Sequence, residues 1–168
     1  EGDLATLNDL TETNNAYSIT ITDTRVNADE LNALNNKTTT NINGSNITQI
    51  TGAISDIAKT YTAGGIDGLG DEEVIFTFAN IDADSLNAID AANSRVINAS
   101  GVAALTGSAS ALNSAFTSSG ISGLGNENVT LTDISINADA LNTLDGHTSG
   151  TIDAGTVTAL NGAATDLN

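Results

Sequence analysis

The chain has 168 residues, with 21 acidic side chains against four basic ones and a formal net charge of −17. Arg25, Lys37, Lys59 and Arg95 stand singly, so the clustered positive surface that a phosphate backbone or an anionic membrane demands is missing, and neither nucleic-acid binding nor membrane insertion is expected. The absence of Cys excludes disulfides and thiolate metal sites, and no apolar run approaches the roughly 20 residues of a membrane span.

Hydrophobic residues still make up 39%, almost all small aliphatics, with aromatics at 3%. That suffices for a thin, regular core and is too much for a disordered acidic tail. With no Met and Glu1 at its start, the chain reads as an excerpt from something longer. "GDLA" at 2–5 echoes the closing "TDLN" at 165–168, so residues 1–18 are expected to end a preceding repeat.

Repetition dominates the rest of the chain. "VNADELNAL", "IDADSLNAI" and "INADALNTL" begin at 26, 81 and 136, one constant interval apart. "TGAISDI" (51–57), "TGSASAL" (106–112) and "NGAATDL" (161–167) keep the same interval, as do "GGIDGLGDEEV" (64–74) and "SGISGLGNENV" (119–129). The repeats are bounded here as 19–73, 74–128 and an incomplete 129–168.

Inside each repeat the predicted elements keep one order. A strand of β-branched residues such as "VTLTDISI" (129–136) ends on an inward aliphatic. Asn27, Asp82 or Asn137 then caps a short helix, with Glu30 completing a capping-box pattern after Asn27. Aliphatics three apart, such as Leu141 and Leu144, give that helix one apolar stripe. An internal echo sets "INADALNTLDG" (136–146) over "IDAGTVTALNG" (152–162), which extends the same strand-end, helix and stop to the second phrase. Gly146, Gly52, Gly107, Gly162 and Asn36 are the expected left-handed stops. A longer helix is predicted over 108–118, and "GISGLG" is a tight return to the next strand.

Short strands alternating with short helices imply an α/β fold with parallel strands and right-handed crossovers. A repeat of this size cannot easily bury both its faces, so an elongated solenoid-like stack of three 55-residue repeats is expected. Three small α/β modules strung as beads are the alternative.

Chemistry-bearing residues are few. Asp67, Asp71, Glu72 and Glu73 form the densest carboxylate run and are the calcium candidates, since hard cations take six to eight oxygens. Their counterparts Ser122, Asn126, Glu127 and Asn128 lose most of that charge, which favours a solvated acidic turn. The triplet Asp139, Asn142 and Asp145 recurs as Asp84, Asn87 and Asp90 and as Asp29, Asn32 and Asn35. Its spacing misses an EF-hand loop and reads as a solvated helix face. His147 is the only histidine, with Ala92 and Thr38 in its place in the other repeats, and no activated nucleophile is evident, so no enzyme is expected.

"LNTLDGHTSGTIDAGTVTALNGAATDLN" and "SSGISGLGNENVTLTD" resemble tandem repeats of very large secreted or cell-surface proteins of marine cyanobacteria and related bacteria. The resemblance covers nearly the whole chain after the first fifteen residues. It implies an extracellular, adhesin-like or filament-forming structural role, with further copies or adjacent repeats as partners, and brings no catalytic residues with it. A binding module for calcium, a glycan or ice on a repeated face is the other expectation.

Overall fold

The structure, a computed structural model, describes residues 1–163, 165 and 166. It is a mixed α/β chain of short parallel strands with six helices among the described residues. No helix among those residues is long and apolar enough to cross a membrane. By its contacts the chain divides into two units, Glu1–Thr77 with Ala88–Ile97, and Phe78–Asn87 with Asn98–Asn168.

The first unit runs through α1 (Leu4–Asn8), β1 (Arg25–Asn27), α2 (Ala28–Asn35), β2 (Ile42–Asn43), β3 (Gln49–Gly52), α3 (Ile54–Thr62), β4 (Ile66–Asp67) and β5 (Glu73–Phe76). β1, β3 and β5 pair in parallel, so Val26, Ile50 and Val74 make one buried row. Arg25 faces Gln49 and Gln49 faces Glu73, a 24-residue step each time, and β2 pairs with β4 at the same step. Parallel neighbours need a crossover, and α2 and α3 supply it. α2 starts where Asn27 Oδ1 accepts from the Asp29 amide at 2.9 Å, and Leu31 and Leu34 on its inner face are fully buried.

In the second unit β6 (Asn80–Asp82) leads into α4 (Ala83–Ala92), whose later residues belong to the first unit. After β7 (Ile97–Asn98) come β8 (Ala104–Gly107), α5 (Ala109–Thr117), β9 (Ile121–Ser122), β10 (Asn128–Leu131), β11 (Ser135–Asn137), α6 (Ala138–Asp145), β12 (Ile152–Asp153) and β13 (Ala159–Asn161). β6, β8, β10 and β12 form one parallel sheet with Ile81, Leu105, Val129 and Ile152 in a row. β11 pairs with β13, placing Ile136 beside Leu160. Leu105 is fully buried between two strands. Leu160, its counterpart in the next repeat, is 47% exposed, with a strand on one side only among the described residues.

The internal echo between the two phrases of each repeat does not hold as structure. "IDAGTVTALNG" is a strand, a turn and a strand, and so is "INGSNITQITG" at 42–52. Both kinds of phrase open on the same contact. Asn27 and Asn137 accept from the amide two residues on at 2.9 and 2.8 Å, and Asn43 and Asp153 do so at 3.1 and 2.9 Å. The next three residues decide the outcome: Ala-Asp-Glu and Ala-Asp-Ala continue into a helix, while Gly-Ser-Asn and Ala-Gly-Thr close a turn. The longer helix expected over 108–118 is present as α5, capped by Ser108 Oγ accepting from the Ala111 amide at 3.2 Å.

The stops are also different from expectation. Asn36 and Gly146 end α2 and α6 with right-handed φ of −72° and −70°. Gly52, Gly107 and Gly162 terminate no helix. They close or directly succeed strands β3, β8 and β13, where an added Cβ would stand 3.2, 3.0 and 3.1 Å from the methyls of Ala28, Ala83 and Ala138. Close strand-to-helix approach selects glycine here. The third copy, "NGAATDL", lies partly outside the described residues, at 164 and 167.

Candidate functional site: two buried glutamates

The four carboxylates singled out in the sequence separate on folding. Asp67 ends β4 and is exposed, its Oδ1 accepting from Asn41 Nδ2 at 2.9 Å. Asp71 is exposed in the loop before β5. Glu73 is exposed on β5 and accepts from Gln49 Nε2 at 2.8 Å. Glu72 alone turns inward and is 1% exposed. Among the described residues no three His, Asp or Glu side chains come together at metal-binding spacing.

Glu72 is held from three sides of the first unit. Its carboxylate accepts from the Gly70 amide at 2.9 and 3.1 Å and from the Tyr61 hydroxyl at 2.7 Å. Asn93 Nδ2 donates to the Glu72 carbonyl at 2.8 Å and to the Tyr61 oxygen at 3.1 Å. Burial, reinforced by the hydrogen bond to Glu72, pushes the Tyr61 phenol well above its ordinary pKa. The sequence supplies this local shape through "GLG": Gly68 and Gly70 adopt φ of 83° and 138°, which turns the Gly70 amide back onto the carboxylate.

The second unit repeats the loop and changes its partners. Gly123 and Gly125 adopt φ of 86° and 141°, and Glu127 is again 1% exposed. Its Oε2 accepts from the Gly125 and Asn126 amides at 2.7 and 3.0 Å, and Thr148 Oγ1 donates to its carbonyl at 2.7 Å, in the role of Asn93. Phe116, however, replaces Tyr61 and has no hydroxyl. Glu127 Oε1 is buried without a hydrogen-bond partner. His147, half-buried in the loop after α6, stacks on the Phe116 ring with centroids 6.0 Å apart and planes 12° from parallel, and its Nε2 is likewise buried without a partner.

A second set of polar residues went unread in the sequence. Asn32, expected on a solvated face, is 5% exposed and donates from α2 to the Asp56 carbonyl of α3 at 2.9 Å. Asn8 does the same from α1 to Glu30 at 3.1 Å. In the second unit Asn87, Asn113 and Asn142 donate to Ala111, Ala140 and Asp166 at 2.9, 3.2 and 3.0 Å. The flanking Asp29, Asp84, Asp139 and Asp145 are exposed. The middle member of the first two acidic-looking triplets is thus a link between consecutive helices, Asn142 makes the corresponding bond to the turn at Asp166, and the recurrence of Asn in all three copies is the trace it leaves in the sequence.

Comparison with protein-family models, curated proteins and solved structures yields no match for this chain.

Proposed function

We propose that this chain is a structural segment of an extracellular bacterial surface protein or filament, an elongated solenoid-like stack whose copies add head to tail. The observation that supports it most is the 24-residue register that recurs in both units, shortened to 23 residues between β10 and β12. Val26, Ile50 and Val74 repeat one buried position, and Ile81, Leu105 and Val129 repeat another, with an Asn link between successive helices each time. Such a chain adds one turn upon another by the same contacts and needs no singular centre. Among the described residues β13 is paired on one side only, and with Leu160 at 47% exposure its other side is a surface on which a further strand of the same register would bury apolar area. The resemblance to repeats of large cell-surface proteins agrees with this role, as does a composition of small aliphatic and amide side chains with net charge −17.

Small-angle scattering with sedimentation velocity tests the reading. A rod gives a skewed distance distribution and a radius of gyration well beyond the roughly 15 Å of a compact domain of this length, and association that rises with concentration. A Leu160→Lys variant is expected to lower that association while keeping the rod. A compact particle that stays monomeric at all concentrations would overturn the proposal.

A further inference from the structure

Asn-x-Ser/Thr triplets begin at Asn36, Asn43, Asn46, Asn98 and Asn128. Such a triplet is an acceptor for N-linked sugar on the surface loops of secreted chains, and the fold treats these five differently. Asn46 Nδ2 donates to the Ile21 carbonyl at 2.9 Å, and Thr48 Oγ1 to the Thr24 carbonyl at 3.0 Å. Asn128 lies in β10, paired on both sides, and its Oδ1 accepts from the amide and hydroxyl of Thr151 at 3.0 and 2.9 Å. After Asn36, the Thr38 hydroxyl donates to the Tyr17 carbonyl at 3.1 Å.

Asn43 and Asn98 remain. They end β2 and β7, one repeat apart, and open the same turn. Asn43 Oδ1 accepts from the Ser45 amide at 3.1 Å and Asn98 Oδ1 from the Ser100 amide at 3.0 Å. A carboxamide is planar, so tethering its oxygen fixes its nitrogen on the opposite side of Cγ. Both asparagines and both serines are exposed, and among the described residues no hydrogen bond engages either Nδ2 or either serine hydroxyl. The third repeat has Asp153 and Gly155 at these positions, which keep the turn contact at 2.9 Å and offer neither carboxamide nor hydroxyl.

We propose that Asn43 and Asn98 are acceptor sites for an N-linked sugar taken from a diphosphate-activated donor. Nδ2 forms a bond to the anomeric carbon of the sugar, and the bond from that carbon to the diphosphate oxygen breaks. The diphosphate leaves with the electron pair, and Nδ2 gives up one proton to the transferase. The carbonyl of the side chain is untouched, so Oδ1 keeps the Ser45 or Ser100 amide and the turn is preserved. Acceptors of this kind belong to secreted chains, so the assignment rests on the extracellular role proposed above.

The probe is a soluble N-glycosyltransferase that uses a nucleotide-diphosphate hexose and modifies synthetic peptides spanning each of the triplets. In the folded full chain, mass spectrometry should find Asn43 and Asn98 modified at close to their peptide rates. Asn36, Asn46 and Asn128 should be slowed at least about fivefold against their peptides, since attack there first breaks hydrogen bonds of the triplet. Ser45→Ala should abolish transfer to Asn43 and leave Asn98 unchanged. Asp153→Asn combined with Gly155→Ser should create a further acceptor while circular dichroism stays that of the parent. Asn43 and Asn98 left bare in the folded chain overturn the proposal, as does a bare double variant. Asn46 and Asn128 as reactive as their peptides also overturn it, because sequence without the fold would then decide. Scattering reads the rod separately: a rod that takes no sugar overturns the acceptors alone, and a compact particle that takes it overturns the rod alone.

Discussion

Removing the Tyr61 hydroxyl isolates what an internal donor contributes to a buried carboxylate. In Tyr61→Phe the ring stays, so almost no volume is lost, and Phe116 shows that this place accepts the bare ring. Glu72 keeps the Gly70 amide at 2.9 and 3.1 Å and loses the 2.7 Å hydroxyl. Asn93 loses one of its two acceptors and keeps the Glu72 carbonyl at 2.8 Å. Hydrogen bonds to charged groups contribute about 1.5–3 kcal/mol, and the half-buried ring lets water reach part of the site, which places the expected loss near the lower end. Urea denaturation should therefore show stability lowered by about 1.5 kcal/mol with an unchanged slope. A double-mutant cycle with Glu72→Gln should return a coupling of similar size. If Tyr61→Phe lies within about 0.5 kcal/mol of the parent, or if the cycle shows no coupling, the hydroxyl does not hold the carboxylate and the contrast between the two units loses its energetic basis.

Three further outcomes come from the register and the site. Leu105→Ala should cost about 2–5 kcal/mol by chemical denaturation, whereas Leu160→Ala, at the same position of the next repeat but 47% exposed, should cost under about 1 kcal/mol. Asn32→Ala should cost about 1–3 kcal/mol, because it strips the Asp56 carbonyl and the Thr60 hydroxyl of a buried partner, while the exposed Asn142→Ala should sit near zero. In a Tyr17→Phe background Tyr61 is the only tyrosine, and its phenol is raised in the folded state. The stability it brings is thus complete below the ordinary phenol pKa of about 10 and declines as pH rises beyond it. Tyrosinate absorbance should appear together with loss of circular dichroism and not before it.

The α/β class and the helices capped by Asn27 and Asn137 were legible because hydrophobic period and cap chemistry act within a few residues. The pairing register was not. Val26, Ile50 and Val74 have in common only that they are aliphatic and branched at Cβ, so the 24-residue interval leaves no phrase to recognise, while the 55-residue interval repeats whole phrases. The false echo within each repeat has a physical cause as well. An Asx contact starts a helix and a turn alike, and only the helix propensity of the next three residues separates "NADEL" from "NGSNI". Asn32 was misplaced for the same reason as the register: its buried partner, the Asp56 carbonyl, is 24 residues away.

The acidic run illustrates how a count of charges can hide the residue that matters. Between "DGLGDEEV" and "SGLGNENV" three of four carboxylates disappear, which argues against a repeated calcium loop. The survivor is the one that the fold requires, because the Gly-rich turn aims backbone amides inward at Glu72 and Glu127 alike, and those amides need an acceptor. The loop and its carboxylate are therefore constrained together, while the group that completes them comes from elsewhere: from α3 or α5, 11 residues before the glutamate, and from the segment about 21 residues after it. Those positions can change without unfolding the loop. Tyr61 with Asn93 closes one site internally, and Phe116 with His147 leaves the other with an open oxygen and an open nitrogen. A repeated loop can in this way keep its frame in successive repeats and still present different chemistry at copies of the same position.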